Sequence, residues 1–132
     1  GGAGVGIPLY LNQRKSSMKN SLQSDGRAAT SMMEGALSAV SYDENQITCT
    51  GGTDCVSTGS DRHCTFTSDH GGAVNGKVIT ASGDNTLTVT VYVKLSVYQI
   101  AASNPNLTSG GSVATWTYFS QTGTGKWTPD EP

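Results

Sequence analysis

Three cysteines and two histidines are the residues of this 132-residue chain best suited to chemistry, in the order Cys49, Cys55, His63, Cys64 and His70. Thiolates and imidazoles bind zinc, but the C-x5-C-x8-C spacing departs from the closely spaced cysteine pairs of structural zinc sites. A Cys–His nucleophile would need a depressed thiol pKa and a third, orienting group. The pattern favours a structural disulfide with histidines in solvated loops, and it predicts no metal, no cofactor and no enzyme.

The register of two short alternating segments indicates which cysteines pair. Laid antiparallel, residues 47–50 and 64–67 place Cys49 opposite Cys64. Directly opposed residues approach the disulfide distance, and closing a loop of about 15 residues contributes roughly 3 kcal/mol. We predict a Cys49–Cys64 disulfide with Cys55 free, and the other two pairings stay open.

Oxygen ligands and aromatic rings offer two further kinds of site. Acidic segments at 43–45 and 84–85 contain calcium-binding residue types, but neither has EF-hand spacing, and Asp and Asn also favour turns. Aromatic residues near the C-terminus suit a sugar-stacking platform, yet strand alternation divides them between two faces and favours core and sheet-surface positions. These aromatic residues are Trp116, Tyr118, Phe119 and Trp127.

Composition predicts one small domain rich in strands and loops. Gly and Thr contribute 17 residues each and Ser 16, a bias that suits Thr-rich strands better than a helical bundle. The net charge is −2 and the basic residues form no run longer than Arg14-Lys15, so no nucleic-acid partner is predicted. Cysteines in such a loop-rich context are typical of exported proteins, and we expect an extracellular location.

The first third of the chain has the pattern of a long amphipathic helix. Over residues 7–40, apolar side chains recur at spacings of three, four and seven. This assembly or core stripe consists of Leu11, Met18, Leu22, Ala29, Met33, Ala36 and Val40. Such a helix is about 50 Å long, too long for the remaining chain to cover, so we expect part of it to project. Pro8 is predicted to start or kink it.

After Val40 the apolar period changes from 3.6 to 2, most clearly in the segment LTVTVYV at 87–93. The predicted fold class is α+β, with one long N-terminal helix packed on an antiparallel sheet. Four regions follow from these patterns: a linker or cloning remnant at 1–6, the helix at 7–40, a glycine- and cysteine-rich connecting loop at 41–76, and the sheet with the C-terminal region at 77–132.

The segment IPLYLNQRK at 7–15 resembles the middle of a type IV pilin helix, where an Ile-Pro step ends the membrane-embedded half and the amphipathic half begins. The segment SLQSDGRAA at 21–29 is similar to pilins of Gram-positive, actinobacterial type. Beyond residue 29 the resemblance lies in the order of elements: helix, glycine-rich loop, antiparallel sheet and an aromatic strand. Pilins of this family often carry a cysteine pair near the C-terminus, which this chain lacks.

The resemblance implies a structural subunit of a cell-surface filament, held in the membrane before assembly by an apolar upstream segment with a methylated N-terminus. Its partners would be copies of itself, packed through their helices, and the pilus assembly machinery. Filaments of this family serve adhesion, motility or DNA uptake. Two alternatives stay open: a pseudopilin of a type II secretion or competence system, and a secreted surface- or carbohydrate-binding domain.

Overall fold

The structure is a computed structural model that describes the backbone of residues 2–132 and the side chains of residues 11–132. It confirms the α+β class, with one N-terminal helix and two antiparallel sheets. The helix is α1 (Gly2–Ala39), and the strands are β1 (Cys49–Thr50), β2 (Thr53–Val56), β3 (Asp61–Phe66), β4 (Gly72–Val74), β5 (Lys77–Ile79), β6 (Thr86–Tyr92), β7 (Val97–Ser109), β8 (Ser112–Phe119) and β9 (Thr124–Thr128). The predictions of a linker at 1–6 and of a start or kink at Pro8 lie outside the residues whose side chains are described.

Helix α1 has 38 residues and is therefore about 57 Å long. It ends where Ser41 and Tyr42 adopt positive φ angles of 51° and 55°. The backbone N–H of Tyr42 donates to the carbonyl of Leu37 at 3.1 Å, which satisfies one of the helix's terminal acceptors. The predicted C-terminal boundary at residue 40 is thus correct within one residue.

The larger sheet has six strands in the order β2-β3-β6-β7-β8-β9, and the smaller has the order β1-β4-β5. Strand β6 shows why the sheet packs on the helix: Leu87, Val89 and Val91 are fully buried, whereas the threonines between them lie on the opposite face. That outer face is lined by hydroxyl groups, and those of Thr65 and Thr88 lie 3.1 Å apart across neighbouring strands.

The segment at 41–76 contains strands β1 to β4 and is therefore more ordered than the predicted connecting loop. Strand β3 belongs to the larger sheet because alternate side chains along it, among them Cys64 and Phe66, are buried in the core. Strands β4 and β5 form a hairpin through Asn75 and Gly76, both with positive φ, an arrangement that Asn-Gly accommodates without strain.

The predicted disulfide pairing is wrong: Cys55 is bonded to Cys64, and Cys49 is the free cysteine. The cause is the choice of partner strand. Strand β2 lies beside β3 and brings the Cα atoms of Cys55 and Cys64 to 4.1 Å, whereas Cys49 pairs with Val74 in the smaller sheet. A two-residue strand carries too little pattern for its partner to be read from the sequence.

Candidate assembly surface

The C-terminal part of the stripe packs on both sheets, against β7 and β8 of the larger and β5 of the smaller. Leu22, Ala29 and Met33 are buried in the core, and Ala36 and Leu37 join them. Met18 and Val40 are partly buried at its two ends. For these positions the stripe predicted from sequence is confirmed as a helix–sheet contact; Leu37 is an addition that the spacing rule missed.

The N-terminal part of the stripe is uncovered. Leu11 is 54% exposed, and every residue from 11 to 17 is exposed. Eleven residues at 100° each bring Leu11 to within about 20° of the direction of Leu22, so both side chains lie on the same helix face. The stripe therefore continues towards the N-terminus at Leu11, which the described residues leave more than half exposed.

Trp116 fixes how closely the helix approaches the sheet. Its ring lies between Gly26 of α1 and Gly125 of β9, and a Cβ at either glycine would overlap it. The guanidinium carbon of Arg27 sits 5.5 Å from the ring centroid, in a cation–π arrangement. Gly26 is therefore required by packing against Trp116. From the sequence alone it could be recognised only as a residue that lowers helix propensity.

A polar network ties the middle of α1 to the loop before β6. The carboxylate of Asp25 accepts from the backbone N–H of Ser82 at 2.7 Å and from its hydroxyl at 2.8 Å. The side-chain amide of the buried Asn85 donates to Ser21 and to Asp25, and its oxygen accepts from Asn104 at 3.0 Å. These bonds satisfy the buried amide groups and orient the sheet along the helix.

Near the C-terminal end of α1, Tyr98 donates a hydrogen bond of 2.6 Å to Glu34. Burial, together with this carboxylate, raises the pKa of Tyr98 well above its ordinary value. Burial and Glu34 also raise the pKa of Tyr42. The contact anchors the helix to the start of β7.

The residues considered for zinc or nucleophilic chemistry do not come together in a site. Cys55 and Cys64 are bonded to each other, His63 lies half-buried in β3, and His70 lies exposed in the following turn. Burial raises the pKa of the Cys49 thiol, which disfavours the thiolate that a nucleophile requires. Among the described residues, no three His, Cys, Asp or Glu side chains are grouped for a metal ion.

The two acidic segments considered for calcium are turns. Asp43 accepts from the backbone N–H of Asn45 and from the side chain of Gln46, and these bonds lower its pKa. Asn85 uses its side-chain oxygen for Asn104, as described above. Of the four aromatic residues for which core and sheet-surface positions were predicted, Trp116 and Trp127 are buried, Tyr118 is partly buried and Phe119 is exposed.

Several exposed apolar side chains lie outside the predicted stripe. Leu95, at 73%, is the most exposed large apolar residue in the described part of the chain, and it shares a depression of about 200 Å³ with the half-exposed Phe119. Met32 and Val78 form a second exposed pair where α1 meets β5. The exposure of Leu95 cannot be predicted from alternation of apolar residues, because Leu95 lies in a single 3₁₀ turn with no repeating pattern.

At the other end of the molecule, α1 and the last residues of strand β7 border a groove of about 360 Å³. Its apolar lining comes from Leu11, Met18 and Leu107, and its rim carries Arg14 and Lys15.

Within the part of the chain that the structure describes, no helix is both long and apolar enough to cross a bilayer. No family model, curated protein or solved structure matches this chain.

Proposed function

We propose that this chain is the structural subunit of an extracellular type IV pilus, assembled with copies of itself through helix α1. The observation that carries the proposal is the apolar stripe of α1, which is buried from Leu22 to Leu37 and continues, exposed, at Leu11. An amphipathic helix that outruns its own sheet has an unpaired apolar face, and identical subunits can cover that face for one another.

The sequence of the helix supports the same proposal. The segment at 7–15 resembles the point in a pilin helix where the membrane half gives way to the amphipathic half. The proposal therefore entails an apolar segment encoded upstream of Gly1, which holds the subunit in the membrane until the assembly machinery extracts it. A coding sequence with an ordinary cleaved signal and no such segment would contradict it and favour a secreted binding domain.

Filament yield provides the direct test. In source cells carrying the complete gene, we expect Leu11→Asp to reduce sheared surface filaments, counted by electron microscopy, because a charge in an apolar contact costs several kcal/mol. The matched control is Ser68→Asp, which adds the same charge in the exposed turn after β3. Thermal melts of the 132-residue chain should be unchanged for both variants. Equal filament yields from the two variants would contradict the proposal.

A further inference from the structure

Two apolar features at opposite ends of the molecule form a knob of exposed side chains and a groove in which only Leu11 is largely exposed. The knob is Leu95 with Phe119; the groove is lined by Leu11, Met18 and Leu107. Strand β7 connects them: its first residues lie beside Glu34 near the end of α1, and Leu107 lies beside the projecting part. Nine residues of strand separate Tyr98 from Leu107, which corresponds to about 30 Å.

The charges at the two ends are complementary. Arg14 and Lys15 form the rim of the groove, and neither makes an ion pair with the described residues. The nearby Lys19 is already paired with Glu131 at 2.9 Å.

Three carboxylates lie at the knob end in addition to Glu34, which Tyr98 binds. Asp61 lies opposite Tyr92, directly before the turn that holds Leu95, and Asp43 and Glu44 follow the end of α1. Lys94 adjoins the knob and the buried Arg62 donates to the carbonyl of Glu44, so two cations offset part of the acidic charge at this end without cancelling it.

We infer that the knob of one copy docks in the groove of the next, so that copies of this chain stack end to end along the helix direction. This inference rests on the proposed function and adds a second contact to it, made by the globular parts. Because knob and groove lie at opposite ends, the contact is heterologous and repeats without closing. Knob and groove each present only a few apolar side chains, so we expect the soluble chain to be a monomer at micromolar concentration. The contact would form once packed helices hold successive copies in the filament.

Paired cysteines test the geometry. Thr108 lines the groove and Gln121 lines the depression beside the knob, and both are exposed. In a Cys49→Ala background, we expect oxidation of the Thr108→Cys/Gln121→Cys double variant at millimolar concentration to produce a ladder of dimers, trimers and longer species on non-reducing gels. Each single variant should stay monomeric, since a heterologous contact never brings two copies of one position together.

Two controls define the outcomes. Moving one cysteine to the turn after β3, as Thr108→Cys/Ser68→Cys, should abolish the ladder. Adding Leu95→Asp to the productive pair should reduce it about tenfold or more, because the knob loses its apolar contact. Thermal melts should stay unchanged, since Leu95 is largely exposed. Dimers from a single variant, or a ladder that survives Leu95→Asp, would overturn the inference.

The same variants separate this inference from the proposed function. If Leu11→Asp abolishes filaments but the Thr108→Cys/Gln121→Cys variant forms no ladder, the pilus proposal stands and the end-to-end contact is ruled out. A ladder from a protein whose complete gene makes no filaments would support the contact and contradict the pilus.

Discussion

The two parts of helix α1 share one apolar stripe and have opposite surroundings. From Leu22 to Leu37 the stripe lies against the two sheets, and its apolar side chains are buried. From Leu11 to Ser17 every side chain is exposed, although Leu11 continues the stripe and borders a groove beside Leu107. The difference teaches that an apolar period shows which face of a helix will pack, whereas the surrounding chain determines whether a partner is present.

The sharpest way to break this comparison is to place a charge in each part. We expect Met33→Asp to destabilise the fold by about 4 kcal/mol or more, because the carboxylate would be buried without a partner. Leu11→Asp should change the free energy of unfolding by less than about 0.5 kcal/mol. Urea denaturation measures both values. Equal losses would show that the N-terminal part is covered within the monomer.

Weakening the sheet should affect only the covered part. Loss of the Cys55–Cys64 bond in Cys55→Ala should cost about 2.5 kcal/mol, the chain-entropy value for a sequence separation of 9. Hydrogen exchange should then accelerate at 22–37 and stay unchanged at 11–17.

The matched control for this variant is Cys49→Ala, which removes the free cysteine and keeps the bond. Peptide mapping of the non-reduced protein should find Cys55 linked to Cys64. A Cys49–Cys64 linkage would restore the pairing predicted from the sequence and contradict the structure.

Two glycines of α1 test how closely the covered part approaches the sheet. Gly26→Ala should destabilise the protein by about 1–2 kcal/mol, since its Cβ would overlap the Trp116 ring and the gain in helix propensity does not offset the clash. Gly35→Ala should stabilise it by about 0.5–1 kcal/mol, because its Cβ would lie 3.7 Å from Lys77, an ordinary contact. Melting temperatures that shift in the same direction would contradict this packing.

A further prediction concerns the hydrogen bond between Tyr98 and Glu34 at the end of the covered part. Tyr98→Phe should cost about 1.5 kcal/mol at neutral pH through loss of the hydrogen bond to Glu34. The folded pKa of Tyr98 is raised, so its contribution is complete below the unfolded value of about 10 and is lost as the pH rises towards the folded value. Denaturation between pH 9 and 12 should therefore show a shallower decline for Tyr98→Phe than for the unmodified chain. Parallel declines would remove Tyr98 from this role.

The sequence by itself determined the α+β class, the end of the helix and the core face of its C-terminal part. Local periodicity suffices for these because Leu22, Ala29 and Met33 recur at helical spacing and residues 87–91 alternate cleanly. The IPLYLNQRK segment also carries the family resemblance, which remains a prediction.

Only the tertiary structure decided which strands are neighbours and which apolar residues stay uncovered. The disulfide pairing was mispredicted because β2, a four-residue strand with a bulge, lies beside β3 and displaces the pairing of β1 to β4. The role of Gly26 depends on Trp116, ninety residues later in the chain, and the exposure of Leu95 depends on an isolated turn. Such features arise from contacts between distant segments, and no local period encodes which segments will meet.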